Sequence, residues 1–176
     1  MKAKPILFIP LVIFVGLAVL LWHGLGNNPT DRESALLSTP FPDFTLATVD
    51  DENKQVTPEV LKGQVTLVNV WGAWCPTCKQ EMPQLLDLAR RGVRIVGVDY
   101  KDQRSEADKF MSDFGNPFAL NIFDPDGSLG FDLGVYGAPE SFIVDANGVI
   151  RYHHTGYITA EDVDNTIMPT LKRLQQ

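Results

Sequence analysis

Apolar residues run almost unbroken from Pro5 to Trp22, with Lys2 and Lys4 ahead of them and no further charged side chain until Asp31. Eighteen helical residues at about 1.5 Å each span roughly 27 Å, close to the hydrocarbon thickness of a bilayer. The pattern predicts one N-terminal transmembrane helix, with residues 1–26 as a membrane anchor. A cleaved secretory signal is the alternative, but its apolar core is usually ~7–15 residues and ends in a small-x-small site. Here the exit reads Trp22-His23-Gly24-Leu25-Gly26, and Trp22 suits the interface. Lysines before the run and none soon after predict an inside N-terminus and an exported remainder. Residues 27–40 are polar, with Pro29 and Ser38-Thr39-Pro40, and read as a linker.

From Phe41 onward the pattern becomes that of a folded domain, residues 41–176. Phe44-Thr45-Leu46 suggests a short strand, and Thr57-Pro58 a helical turn with Thr57 as its cap. Val65 to Trp71 is a near-continuous apolar run rich in β-branched residues, as a central strand buried on both faces requires. Cys75 to Arg90 has helical spacing interrupted by Pro83, which predicts a kink. Val93–Val98 is a second buried strand, Ser105–Phe114 an amphipathic helix closed by Gly115, and Ala119–Phe123 a third strand. Gly127–Leu133 suggests a short helix. Glu140–Val144 and Val149–His154 flank Asp145-Ala146-Asn147-Gly148, a hairpin signature. Thr159 with Asp162 three residues later opens a last helix, which Pro169 should bend. This order predicts a three-layer α/β domain with a mixed central sheet.

Charge sharpens the division. The whole chain has a net charge of −7, but residues 27–176 hold 13 basic against 22 acidic residues, a net −9. That balance argues against a nucleic-acid partner. The 44% hydrophobic content excludes wholesale disorder, and two cysteines are too few for a disulfide-stapled scaffold.

Both cysteines lie in Trp74-Cys75-Pro76-Thr77-Cys78, between the buried strand and the helix. A cysteine at a helix start faces unpaired N–H groups and the positive end of the dipole, which favour thiolate over thiol. Cys75 is thus the expected nucleophile, and Cys78, about one turn on, can reach back to resolve a mixed disulfide. Pro76 costs little there, because its missing N–H would have been unpaired. A purely structural disulfide would close too short a loop to restrain much chain entropy. Structural zinc needs four ligands, and His153 and His154, as neighbours on a strand, point to opposite faces. Two thiolates suit Cu(I), but no third ligand is evident. A redox-active Cys75–Cys78 pair without metal or organic cofactor is the favoured reading.

Trp-Cys-Pro-Thr-Cys after an apolar strand, with Pro83 beyond, resembles the thioredoxin superfamily. Phe41-Pro42-Asp43-Phe44-Thr45-Leu46, Tyr100-Lys101-Asp102 and Gly134-Val135-Tyr136-Gly137-Ala138-Pro139-Glu140 narrow the resemblance. They are similar to the CcmG (DsbE) type of thiol:disulfide interchange proteins of bacterial cytochrome c maturation. The resemblance runs from Phe41 to the C-terminus and includes the anchor. It implies a thioredoxin-like fold, a cis Ala138-Pro139 bond beside the disulfide, and Glu81 and Glu140 lining an acidic groove near it. It also implies a reductase in the periplasm, held at the inner membrane. Its partners would be apocytochrome c or haem-ligation protein thiols and a membrane thiol-disulfide electron donor. Trp74 and Tyr136 are expected to border the groove, and Trp71 to pack in the core. Asp99-Tyr100-Lys101-Asp102 reads as a polar strand end, which the resemblance makes the start of an inserted helical segment; as an isolated string it reads as a solvated loop. A general periplasmic disulfide exchanger and a Cu(I) carrier on the same fold stay open as alternatives.

Overall fold

The computed structural model describes residues 9–24 and 36–176. In the N-terminal part, α1 covers Ile9–Gly24, 16 residues with no charged side chain. The remainder of the expected anchor, residues 1–8 and 25–26, and linker residues 27–35 lie outside the described residues. Among the described residues, no helix is long and apolar enough to cross a membrane.

The main unit is built on a five-stranded sheet of β3 (Thr66–Trp71), β4 (Ile95–Tyr100), β5 (Leu120–Asp124), β6 (Glu140–Val144) and β7 (Ile150–Thr155) in the order β5-β4-β3-β6-β7. β3, β4 and β5 run parallel, while β6 and β7 are antiparallel additions on the other side of β3. Every residue of β3 is buried, as its unbroken apolar run predicts. A separate two-stranded pair joins β1 (Leu46–Ala47) to β2 (Gln55–Val56).

Alternation along β3 divides the core. Leu67 and Trp71 face α2 (Pro76–Arg90), α3 (Arg104–Phe114) and the C-terminal helical segment, through Leu85, Phe110 and Ile167 among others. Val68 and Val70 face the opposite layer, where Phe41, Leu61 and α4 (Ser128–Asp132) with Leu129 pack. The result is the expected three-layer, thioredoxin-like arrangement with a mixed sheet.

Several local expectations shift. α2 continues through Pro83, which sits on the exposed side of the helix, where water can satisfy the carbonyl left without its N–H partner. Thr57 makes no side-chain cap to the 3-10 turn Pro58–Leu61. Residues 36–40, read from the sequence as linker, instead belong to the domain. Ser38 donates to the Ile150 carbonyl, Ile150 donates to that of Thr39, and Leu36 and Leu37 pack on the core. The last helix is divided as Pro169 predicts: α5 (Ala160–Asp162), a π-turn (Val163–Ile167), then α6 (Met168–Leu174).

Candidate active site

β3 ends at Trp71, and the chain turns through Gly72-Ala73-Trp74 directly into α2. Cys75 caps that helix and is disulfide-bonded to Cys78, with Cα atoms 5.3 Å apart. The Cys78 amide donates to Cys75 Sγ at 3.1 Å, and Thr77 Oγ1 and the Ala138 carbonyl oxygen each lie 3.3 Å from the same sulfur. A helix-terminal N–H aimed at Cys75 is what stabilises negative charge on that sulfur once the disulfide is opened. Pro76 occupies the first helical turn and is exposed; Thr77 is half-buried. Both cysteines are otherwise buried.

The turn is held from the β4 side. Trp74, 51% exposed, donates its indole N–H to the Tyr100 carbonyl at 3.0 Å, and the Asp102 carboxylate accepts the Ala73 amide. Gly72 leaves room for the indole in this position, since a Cβ would stand 2.4 Å from Trp74 Nε1. A cleft of about 470 Å³ opens beside this turn between Ala73, Trp74, Lys101, Asp102, Gln103 and Glu106. A larger cleft, about 670 Å³, lies at the opposite end of the sheet near Phe41 and Gly148, away from the dithiol. Trp71 is core, stacked 5.6 Å from Phe118 and donating to Asn121 Oδ1.

On the other side of the disulfide, the Ala138-Pro139 peptide bond is cis. Pro139 is buried, and its carbonyl accepts the Gly156 amide at 3.0 Å. Tyr136 stands 94% exposed at the edge of this loop.

The two carboxylates correct the sequence reading. Glu81 and Glu140 do not line an open groove; they are 0% and 2% exposed. Nor do they share a face of the sheet. Glu81 accepts from Asn69 Nδ2 at 3.0 Å on the α2 side, where Asn69 also donates to Ser141. Glu140, next to Ser141 on β6, therefore points to the opposite side, where it accepts from the Tyr136 amide at 2.9 Å. Its second oxygen accepts from His153 Nε2 at 2.6 Å. Each carboxylate is buried because local donors replace its water. For Glu81 that replacement is incomplete: burial lifts its pKa from 4.5 to about 7, against the pull of the Ile158 and Asn69 donors.

The Asp99–Asp102 string is also not a solvated loop. Asp99 and Tyr100 complete β4 and are buried. No donor reaches either oxygen of Asp99, and burial, with Asp102 adding in the same sense through its charge and a side-chain hydrogen bond, pushes its pKa to about 8. Asn69 and the roles of Asp99, Asp102 and His153 escaped the sequence reading, because each acquires its setting only through pairing across the sheet or with the active-site turn. His153 and His154 do face opposite ways: His154 lies 3.9 Å from Asp162, far along the chain from the Glu140 partner of His153. Among the described residues there is no group of three or more His, Cys, Asp or Glu side chains able to hold a metal ion.

The redoxin family matches residues 37–167. The chain is 44% identical over 176 residues to the thiol:disulfide interchange protein DsbE of Vibrio cholerae, covering 97% of this chain and 96% of that protein. It is 46% identical over 175 residues to DsbE of Escherichia coli, covering 96% and 94%. Among solved structures it is similar to StoA of Bacillus subtilis, at 26% identity and a TM-score of 0.57 over 72% of this chain and 96% of that one.

Proposed function

This chain belongs to the DsbE-type thiol:disulfide interchange proteins of the redoxin family, and we propose that it works as a membrane-anchored periplasmic reductase in cytochrome c maturation. That it is a thiol-disulfide oxidoreductase follows from the family together with the Cys75–Cys78 pair. The observation that supports the mechanism is the Cys78 amide on Cys75 Sγ at the start of α2.

In the reduced protein, the Cys75 thiolate attacks one sulfur of a substrate disulfide. The substrate S–S bond breaks, a mixed disulfide forms, and the departing substrate thiolate takes a proton. Cys78, deprotonated, then attacks the Cys75 sulfur. The mixed disulfide breaks, the second substrate thiol leaves, and the Cys75–Cys78 disulfide seen here remains. Two electrons have passed to the substrate. Thr77 and the Ala138 carbonyl lie against the reacting sulfur. In this reading Trp74, Pro76, Tyr136 and Pro139 flank the substrate groove on the neighbouring segments, with Glu81 and Glu140 buried on opposite faces of the sheet behind it.

The substrate in this reading is the oxidised haem-attachment cysteine pair of apocytochrome c, or a cysteine pair in a haem-ligation protein. Thioether formation needs free thiols, which an oxidising compartment removes. Re-reduction falls to a membrane thiol-disulfide electron donor. The apolar run Pro5–Trp22, described from Ile9 onward as part of α1, supports an anchor that keeps the domain near these partners and raises their effective concentration.

Cys78→Ser tests the reading by leaving Cys75 trapped in its mixed disulfide. Recovery of apocytochrome c or a haem-ligation component is the expected result. A broad sample of periplasmic proteins would favour the general exchanger instead.

A further inference from the structure

Glu140 follows Pro139 directly, and its carboxylate closes the loop on itself: one oxygen accepts the backbone N–H of Tyr136, four residues earlier. Within the ring so closed lies Ala138, whose carbonyl oxygen is 3.3 Å from Cys75 Sγ. The Tyr136 side chain projects into solvent and contributes no packing that would hold the loop. The carboxylate is thus the brace, and its own orientation is set by the other oxygen. That oxygen is held by His153 Nε2 at 2.6 Å, from the neighbouring strand β7. The imidazole has little freedom, because it lies flat on Phe142, with centroids 4.4 Å apart and planes within 1°. Register supports the same geometry: His153 pairs with Phe142 and Thr155 with Glu140, so His153 and Glu140 are diagonal neighbours on one face of the sheet.

We infer that His153 is a positioning residue for the dithiol: it orients the Glu140 carboxylate, which in turn fixes the loop that sets the Ala138 carbonyl against the Cys75 sulfur. A carboxylate buried in this way is well placed only while both oxygens are satisfied; with one donor gone, it turns toward water, and the Tyr136 bond loosens. The inference uses the oxidoreductase activity and not the cytochrome reading, so the two can fail separately.

Two substitutions of similar polarity separate orientation from mere bulk. His153→Gln can place an amide N–H where Nε2 stood, whereas His153→Asn is too short to do so. In full-length protein, reduced and then mixed with glutathione disulfide, His153→Asn is expected to slow the reaction of Cys75 about tenfold. It should also displace the equilibrium constant with glutathione, which a variant that is only less stable leaves unchanged. His153→Gln should restore both. In a Glu140→Gln background, His153→Asn should have no further effect, because its route is already cut. Parental rate and equilibrium constant in His153→Asn, failure of His153→Gln to restore them, or additive losses in the double variant would each overturn the inference. If circular dichroism shows His153→Asn to be unfolded, Glu140→Gln alone decides: a parental rate and equilibrium constant there overturn it, and matching losses support it.

Discussion

Oε2 of Glu81 accepts the backbone N–H of Ile158 at 3.0 Å, so a buried carboxylate one helical turn beyond Cys78 ties α2 to the chain just ahead of α5. The same side chain reaches β3 through Asn69. It therefore links the element that carries the dithiol to both the central strand and the C-terminal segment, and it does so with a group that titrates near neutrality.

Glu81→Gln is expected to make Cys75 more acidic. Ionised Glu81 opposes the thiolate, and with a pKa of about 7 it is substantially ionised across the range where the thiol reacts. Removing that charge should move the pH profile of Cys75 alkylation to lower pH, measured on the reduced protein. It should also make the pair more oxidising, because the reduced form is the one that gains. The substitution is accommodated at constant volume: Asn69 Oδ1 has no partner, and turning that amide would offer the new side-chain N–H an acceptor. An unshifted alkylation profile would contradict the argument.

Asp99→Asn is expected to stabilise the protein at alkaline pH and to change little in acid. The folded pKa of Asp99, about 8, is raised above its ordinary 3.8, chiefly by burial. A raised carboxyl pKa means that the folded state holds a proton the unfolded chain has released. Its contribution is complete below about pH 4 and is lost as pH rises through 8. Glu81 acts in the same sense between about 4.5 and 7. The parent should thus lose stability from pH 5 to pH 9, and Asp99→Asn should flatten that slope, worth about 1–3 kcal/mol at the alkaline end. Urea midpoints at the two pH values check it.

What could be read from the chain and what could not divides by range. The central strand Thr66–Trp71 and the cysteine at the start of α2 are legible because a run of apolar residues and a Cys-Pro at a helix start are local patterns. The burial of Glu140 is not local. It depends on a donor thirteen residues away across a hairpin whose register shifts between Ile143 and Val144. Asp99 misleads for a related reason: a polar residue at a strand end looks solvated until Trp71 is seen paired beside it and α3 is laid against the sheet. Leu36 and Leu37, set among polar neighbours, read as linker because only tertiary contact with the β7 edge reveals that they pack.

Gly72→Ala should impair reaction with protein substrates more than with small disulfides. The new Cβ would collide with the Trp74 indole at 2.4 Å and break its bond to the Tyr100 carbonyl. Trp74 is half in solvent, so the ring can swing outward at modest cost in stability. What is lost is the aromatic wall beside Cys75 that a docking polypeptide would meet. Reduction of insulin is expected to slow about tenfold, while reduction of glutathione disulfide changes by less than about threefold. Equal losses for both substrates would place the role of Trp74 in the thiol chemistry instead.

Thr159→Ala tests the C-terminal segment as a support for the site. Thr159 and Asp162 form a full capping box: the Asp162 amide donates to Thr159 Oγ1 at 3.1 Å, and the Thr159 amide donates to Asp162 Oδ2 at 2.9 Å. The helix they start is only three residues long before the π-turn at Val163–Ile167 and Pro169 interrupt its hydrogen bonding, so the cap carries an unusual share of its stability. Loss of the hydroxyl should cost about 1 kcal/mol. Because Ile158, the neighbour of the cap, donates to Glu81, loosening this turn should also weaken one of the two bonds that hold that carboxylate ionised. The expected result is a lower urea midpoint together with a further rise in the Glu81 pKa, followed by carboxyl-resolved NMR titration. Thr159→Ser keeps the hydroxyl and should reverse both changes.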